Sequence, residues 1–374
     1  MKFLHLADLH LGKRLNDFSF LEDQVRLLCQ VEEIARSERA DAVLIAGDVY
    51  QKASPQSEAM AAFDQFITRL KEMGIAVFVI SGNHDSAQRI SYFSSLLKNS
   101  GVYVSEAFDG HLQQVTLQDE HGELVVSLLP FLKPIQVRRF YPDEKIETYQ
   151  DAVQAVLRHS PVDTAKRNVL VCHQFITGAE TSDSEEKTVG GLDNIDAAVF
   201  ADFDYVALGH IHKPQQCARE TLRYAGSLMK YSFSEVNQKK SVTVVEMEEK
   251  GEISIRTVPL NAPHDMRLVE GMLDEVMAMP YSEDYVWVTL RDELPPPDAR
   301  VTVSTVFPNM MKFSVVNSKT KTDIDVLARE AMENKSPEEL FSDFYRLQNN
   351  DCPPGPRHME ILRSLRKELE GEIR

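Results

Sequence analysis

Residues 77–88 read VFVISGNHDSAQ. Four apolar residues, Val77 to Ile80, give way without transition to Gly82, Asn83, His84 and Asp85. The apolar run predicts a buried strand. Its abrupt end sets an amide, an imidazole and a carboxylate side by side at the strand's carboxyl edge, where ligands bind in layered α/β folds. The same design recurs in LADLH (Asp8, His10), LIAGD (Asp48), LVCH (His173) and ALGHIH (His210, His212). Aligned strand ends would bring all five clusters to one crevice.

Working outward, residues 2–7 predict a strand. DFSFLEDQVRLLCQVEEIARSER (17–39) carries apolar residues at helical spacing, and DAVLIAGD (41–48) is another short buried run. PQSEAMAAFDQFITRLKEM (55–73) predicts a helix opened by Pro55 and stopped by Gly74. This β-α-β-α-β order implies parallel strands between helices. After about residue 100 the pattern changes: 111–131 predicts a hairpin, 147–159 a helix, and 168–175 and 203–212 buried strands. Segments 222–235, 238–249 and 251–260 complete, with that hairpin and those strands, a second set of mostly antiparallel strands. The fold class is therefore α/β, two facing mixed β-sheets flanked by helices, over residues 1–262. NAPHDM (261–266) predicts a linker into a small α+β cap domain, 263–335, with a strand at DYVWVTLRD. A C-terminal helix-loop-helix, 336–374, follows, broken at NNDCPPGP.

The 374 residues, 43% hydrophobic and 26% charged, suit a folded chain with a large core and extra modules. No apolar run reaches the roughly 18 residues of a membrane span, and MKFLHLADLH lacks the pattern of a signal peptide. Four scattered cysteines without a C-x-x-C pair predict reduced thiols and a cytoplasmic location. A net charge of −17 argues against nonspecific coating of nucleic acid but leaves room for a DNA enzyme with a local basic patch.

Asp, Asn and His supply hard oxygen and borderline nitrogen donors; the one cysteine in the clusters, Cys172, should face away from His173 on an alternating strand. Such a set suits manganese, iron or zinc in open coordination. The donors are too many for one ion and fit two, with a carboxylate bridging, the arrangement that activates water for in-line displacement at phosphorus. Singly, each motif has a bland reading. Gly-Asp and Gly-Asn-His-Asp are turn residues, and a lone histidine at a strand end is more often structural. Five in this order, each after an apolar strand, are hard to explain as turns.

D-x-H, G-D, G-N-H-D, a lone H and G-H-x-H in that order resemble the calcineurin-like metallophosphoesterases, a four-layer αββα fold. FLHLADLHLGKRL, VGGLDNIDAAVF…FDYVALGHIHKPQ and RYAGSLMKYSFSE resemble more narrowly the SbcD family of nuclease subunits, bacterial relatives of the double-strand-break repair nucleases. The resemblance implies one ion on Asp8, His10 and His212 and a second on Asn83, His173 and His210, with Asp48 bridging. The ions would be two Mn2+, or Mg2+ or another divalent ion. His84 would be the acid near the leaving oxygen, and Asp85 would hold the His84 ring. Where several relatives carry a histidine three residues after the bridging aspartate, this chain has Gln51, which can hydrogen-bond a nucleotide but cannot protonate it. It further implies an SbcC-type ATPase partner docked on the C-terminal helices (Leu340, Phe341, Phe344, Tyr345, Leu347; Ile361, Leu362, Leu365, Leu369). A homodimer through residues 86–98, within a heterotetramer, would complete the assembly.

His5 is expected to be a packing residue, and Tyr231, Phe233 and Trp287 core. Lys13, Arg14 and Arg89, beside ligand segments, either contact phosphates or are simply solvated. The leading function is a manganese-dependent DNA nuclease, exonuclease and hairpin or single-strand endonuclease, acting in repair and recombination. The alternative is a metallophosphodiesterase or phosphatase acting on nucleotides or phosphoproteins, because fold and metal site do not fix substrate. A metal-free binding scaffold, the third reading, would be expected to have lost ligands.

Overall fold

The strand Lys2–Leu6 sends alternate residues to opposite sides: Leu4 and Leu6 join the core beneath two helices, while Phe3 joins the core between two sheets. The computed structural model describes residues 1–92, 94–185, 194–317, 337–348 and 353–362. Its first sheet runs in the order Ile253–Pro259, Ser241–Met247, Lys2–Leu6, Ala42–Ala46, Ala76–Ile80, Val102–Val104. The last four strands are mutually parallel. The second sheet runs Gln215–Cys217, Arg219–Tyr224, Tyr205–Gly209, Arg167–His173, Gly122–Leu129, Gln113–Asp119.

Phe3, Leu44, Phe78, Val126, Val171, Tyr205 and Met247 form the layer between the sheets. Helices Leu21–Glu38 and Ser57–Glu72 cover the outside of the first sheet through Leu27, Val31, Phe63 and Phe66, and Tyr149–His159 covers the second through Val153 and Val156. This is the expected α/β architecture. Each helix reads locally as predicted: Thr148 and Asp151 exchange reciprocal cap bonds at the start of the third. Pro55, however, precedes the second helix instead of opening it, since its N-cap is Gln56.

One expectation needs correction. The strands after residue 218 do not all complete the second sheet, and that sheet is not mostly antiparallel. Arg219–Tyr224 lies parallel to Tyr205–Gly209, whereas Ser241–Met247 and Ile253–Pro259 return to the first sheet as an antiparallel hairpin beside Lys2–Leu6. Local alternation identifies a strand but carries no information about which distant edge it joins.

A three-stranded sheet follows, with Tyr285–Leu290 between Met266–Gly271 and Met310–Val315. By compactness one unit comprises Met1–Val269, Met277–Val288 and Arg300–Phe313; the other comprises Glu270–Val276, Thr289–Ala299 and Ser314–Arg374. In the latter, Pro337–Gln348 is helical and Phe344 is exposed. The expected apolar positions Leu365 and Leu369 lie outside the described residues, as does Cys352, while Cys29, Cys172 and Cys217 are free thiols. Among the described residues no helix is long and apolar enough to cross a membrane.

His5 is the packing residue expected, and more. Fully buried, it bridges the two sheets, with Nδ1 2.9 Å from the Tyr205 hydroxyl and Nε2 3.1 Å from the Leu208 carbonyl. Burial, reinforced by the Arg223 cation, pushes its pKa down to about 3. The unfolded chain, with an ordinary histidine, then binds a proton that the folded chain refuses, so stability is full above pH 6.5 and falls as pH drops toward 3. Between pH 7.5 and 5, wild type should lose about 2 kcal/mol more than His5→Gln, which keeps hydrogen-bonding capacity but does not titrate. Denaturant melts at the two pH values measure this; equal losses would show that His5 is not the sensitive group.

Candidate metal centre

Strand after strand ends at the same rim, and there the backbone turns in a conformation that L-residues rarely adopt. Among the described residues, seven non-glycines have positive φ, and four of them are Asp8 (52°), His10 (44°), Asp48 (49°) and His210 (106°). Such conformations cost on the order of 1–3 kcal/mol each and persist where the surroundings dictate them. Their concentration on candidate ligands marks a built site, and nothing in the sequence announced it.

The glycines of the motifs have a second use. A Cβ on Gly82 would lie 2.1 Å from Asp48 Oδ1, and one on Gly209 would lie 1.8 Å from the Ala46 carbonyl oxygen. The sequence suggested turns; the structure needs close approach between chain segments.

The structure brings all seven expected ligands together. Donor atoms of Asp8, His10 and His212 lie within 4.8 Å of one another, as do those of Asp8, Asp48 and His173. Asn83 Oδ1 sits 2.9 Å from His173 Nε2 and 3.0 Å from His210 Nδ1. His10 and His212 face each other, Nε2 to Nε2, at 3.0 Å. His10, Asp48 and His84 also satisfy the same grouping, so geometry alone makes His84 eligible as a ligand.

Tautomers test whether cations fit. His173 Nδ1 is 2.8 Å from the Ala46 carbonyl, which can only accept, so Nδ1 carries the hydrogen. Neutral His173 therefore turns the lone pair of Nε2 toward Asn83 Oδ1 and, at 3.5 Å, toward Asp48 Oδ2. Lone pairs converging on lone pairs require a positive charge between them, which a proton or a metal ion equally supplies. Electrostatics agree. Burial opposes charge on both His173 and Asp48, yet their mutual attraction prevails: the imidazole is pushed up to about 9 and the carboxyl held well below its usual range. Burial drives His10 and His210 the other way, so they stay neutral with lone pairs to offer. Asp8 is pushed up by burial, against the pull of His173 and His212. The donors, carboxylate, amide and imidazole without sulfur, fit divalent cations. Cys172 belongs to the core outside the second sheet, on the opposite face from His173.

The role expected for Asp85 requires correction. Its carboxylate accepts the backbone N–H groups of Gly82 (2.9 Å), Val49 (3.0 Å) and Tyr50 (3.0 Å), while His84 Nδ1 donates to the Gln51 carbonyl at 3.1 Å. The physical reason is proximity: Asp85 pins the loop after Asp48 to the loop after Ile80, and that loop in turn presents the carbonyl that orients His84. Gln51 also accepts from Lys13 Nζ at 3.1 Å. Lys13 is thus half-buried at the site's edge. Arg14 bonds the Asp17 carbonyl, and Arg89 bonds Ala53 and Ser54. Tyr231 is core, its hydroxyl on the Leu9 carbonyl at 2.5 Å. Trp287 is half-buried, with Lys312 Nζ 3.6 Å from its ring centre.

Sequence reasoning missed the groups behind His212. Ser184 and Glu185 lie in a stretch that composition suggests is a solvated acidic loop, and Glu235 and Lys240 in stretches resembling strands. They meet as a polar cluster, Glu235 and Lys240 buried and Ser184 and Glu185 half-buried, against the ring and backbone of His212.

A family model described as calcineurin-like phosphoesterase matches residues 1–214, and one described as type 5 capsule protein repressor C-terminal domain matches residues 262–349. A curated relative from Staphylococcus epidermidis, named as the SbcD component of the nuclease SbcCD, is 34% identical over 84% of this chain and 86% of its own. One of the same name from Staphylococcus saprophyticus subsp. saprophyticus is 33% identical over 83% and 84%. Among solved structures, a dimetal phosphatase from Danio rerio aligns with TM-score 0.41 at 12% identity, covering 70% of this chain and 98% of that one.

Proposed function

Since this chain belongs to the calcineurin-like phosphoesterases, and within them to the SbcD family of SbcCD nuclease components, we propose that it is the DNA-cutting component of such a complex. It hydrolyses phosphodiester bonds at the crevice where both sheets end. The observation that supports this reading is the convergence of seven donors, several on strained backbone and all but Asn83 buried, at one rim.

Asp8, His10 and His212 would hold one ion and Asn83, His173 and His210 the other, with Asp48 shared. A divalent pair supplies an acidified water and neutralises charge on the scissile phosphate. Manganese is the ion we favour, because carboxylate, amide and imidazole donors together suit it. His84 would hand a proton from Nε2 to the departing sugar oxygen, its ring oriented by the bond from Nδ1 to the Gln51 carbonyl. Asp85 acts through backbone, fixing the two loops that carry Asp48 and His84. Lys13, held by Gln51, would contact a phosphate oxygen.

The ATPase of the complex would dock on residues 336–374, where Phe344 is 61% exposed. Two copies of the chain would pair through the segment containing Leu96, 69% exposed, giving a dimer within a cytoplasmic heterotetramer. Cutting of end-labelled single-stranded and hairpin DNA, with and without the ATPase, tests the reading. Manganese should support cleavage and EDTA should abolish it. Hydrolysis of bis(p-nitrophenyl) phosphate without any cutting of DNA, even with the ATPase present, would leave the site standing and overturn the substrate.

A further inference from the structure

His212 is fixed from three sides. Its N–H donates to Glu185 Oε1 at 2.8 Å, and its carbonyl accepts Lys240 Nζ at 2.8 Å and the Ser227 N–H at 3.1 Å. Its ring Nδ1 lies 2.6 Å from Ser184 Oγ. Behind Ser184 stands Glu235, fully buried, whose Oε1 accepts the Ser184 hydroxyl and whose Oε2 meets Lys240 Nζ at 2.5 Å. Lys240 is itself buried and completes its bonds on Ser227 Oγ (2.9 Å) and Gln238 Oε1 (2.8 Å).

The charge on Glu235 gives this chain of bonds a preferred direction. An ionised carboxylate can only accept, so the Ser184 hydroxyl proton goes to Glu235. The Ser182 hydroxyl has Glu185 Oε2 and Ser184 Oγ both at 2.8 Å and Glu235 Oε1 at 3.4 Å; directed to the Glu185 carboxylate, it leaves the Ser184 proton to Glu235. With its proton spent, Ser184 Oγ offers His212 only a lone pair, and Nδ1 must donate. Neutral His212 is thereby left with its lone pair on Nε2, the atom that faces His10 Nε2 at 3.0 Å. Burying a carboxylate and an ammonium is costly unless each is fully bonded, and here both are bonded to the same histidine or to the serine that touches it.

We propose that Glu235, acting through Ser184, is the positioning residue that sets the tautomer of His212 and so prepares the ion site of Asp8, His10 and His212. Lys240 belongs to the same device: it bonds the Glu235 carboxylate and the His212 carbonyl together, linking ring and backbone. The inference rests on the two-ion reading above. In Glu235→Gln the Lys240 ammonium, which can only donate, keeps the amide oxygen, so the NH2 faces Ser184; this lets the hydroxyl proton turn toward Nδ1 and moves the ring hydrogen to Nε2. Because that variant also leaves Lys240 short of its counter-charge and could unsettle the fold, Ser184→Ala and Ser184→Thr carry the test beside it.

The experiment is calorimetric titration of each metal-stripped protein with Mn2+, together with its melting curve in EDTA. Wild type should take up two ions. Ser184→Ala and Glu235→Gln should each bind one of the two about 10–100-fold more weakly, as removal of an outer hydrogen-bond partner usually does, with the other ion unchanged. Ser184→Thr, which keeps the hydroxyl, should restore the lost affinity, and the Ser184 variants should melt like wild type in EDTA. Two wild-type affinities in Ser184→Ala, or an equal loss in Ser184→Thr, would overturn the positioning role and leave the two-ion reading intact. A wild-type protein that takes up no ion would overturn both.

Discussion

His84→Ala should cut DNA about 10²–10⁴-fold more slowly than wild type while retaining both manganese ions, the loss typical of a removed general acid. The half-buried ring stands edge-on to His10 at 4.8 Å between centroids, and its Nδ1 is engaged with the Gln51 carbonyl. Two roles fit this position. As a ligand with His10 and Asp48, it would take an ion away when removed; as an acid, it would leave the ions and raise only the barrier to bond cleavage. Metal content by atomic absorption separates them, and so does the leaving group. A p-nitrophenyl ester departs without protonation, so the defect of His84→Ala should shrink to under about tenfold on that substrate if the residue is an acid. A manganese stoichiometry reduced by one, with an equal defect on both substrates, would make His84 a ligand and remove the acid role.

Why the donors were readable while their supports were not follows from what each depends on. Asp8, Asp48, Asn83, His173, His210 and His212 each end an apolar strand, and strand periodicity is local. Their convergence needs only that parallel strands in both sheets end at one rim. Glu235 and Ser184, by contrast, meet His212 across separations of 23 and 28 residues, through a loop and a short helical turn that carry no periodic signal. The Asp85 role, which the family resemblance implied, differs for a related reason: the carboxylate found three backbone N–H groups within reach, and no local pattern announces them. The hairpin at 241–259 was visible as two strands, but its return to Lys2–Leu6 was decided by an open sheet edge over two hundred residues away in the chain.

Among the described glycines, the most severe single-methyl change should be Gly209→Ala. The added carbon would fall 1.8 Å from the Ala46 carbonyl oxygen and 2.8 Å from His173 Nδ1. Those two atoms are each other's partners in the 2.8 Å bond that fixes the His173 tautomer. The main clash sets a Cβ fixed to one backbone against the carbonyl of another, so no flexible side chain can swing away to relieve it, and the sheets must separate at the rim that carries Asp48. Overpacking of this kind costs about 3 kcal/mol or more, and a shift of roughly 1 Å in the donors should slow DNA cleavage at least about 100-fold. Gly251→Ala is the matching control. It lies in a surface turn with φ of 90° and nothing within 4 Å of the new carbon, so it should lose only about 1–2 kcal/mol to backbone strain and cut DNA at the wild-type rate. Denaturant melts and initial cleavage rates on the two variants compare close approach with backbone conformation directly. If Gly209→Ala matched Gly251→Ala in both, the Ala46 carbonyl could not lie where His173 needs it, and the tautomer argument for the metal centre would lose its anchor.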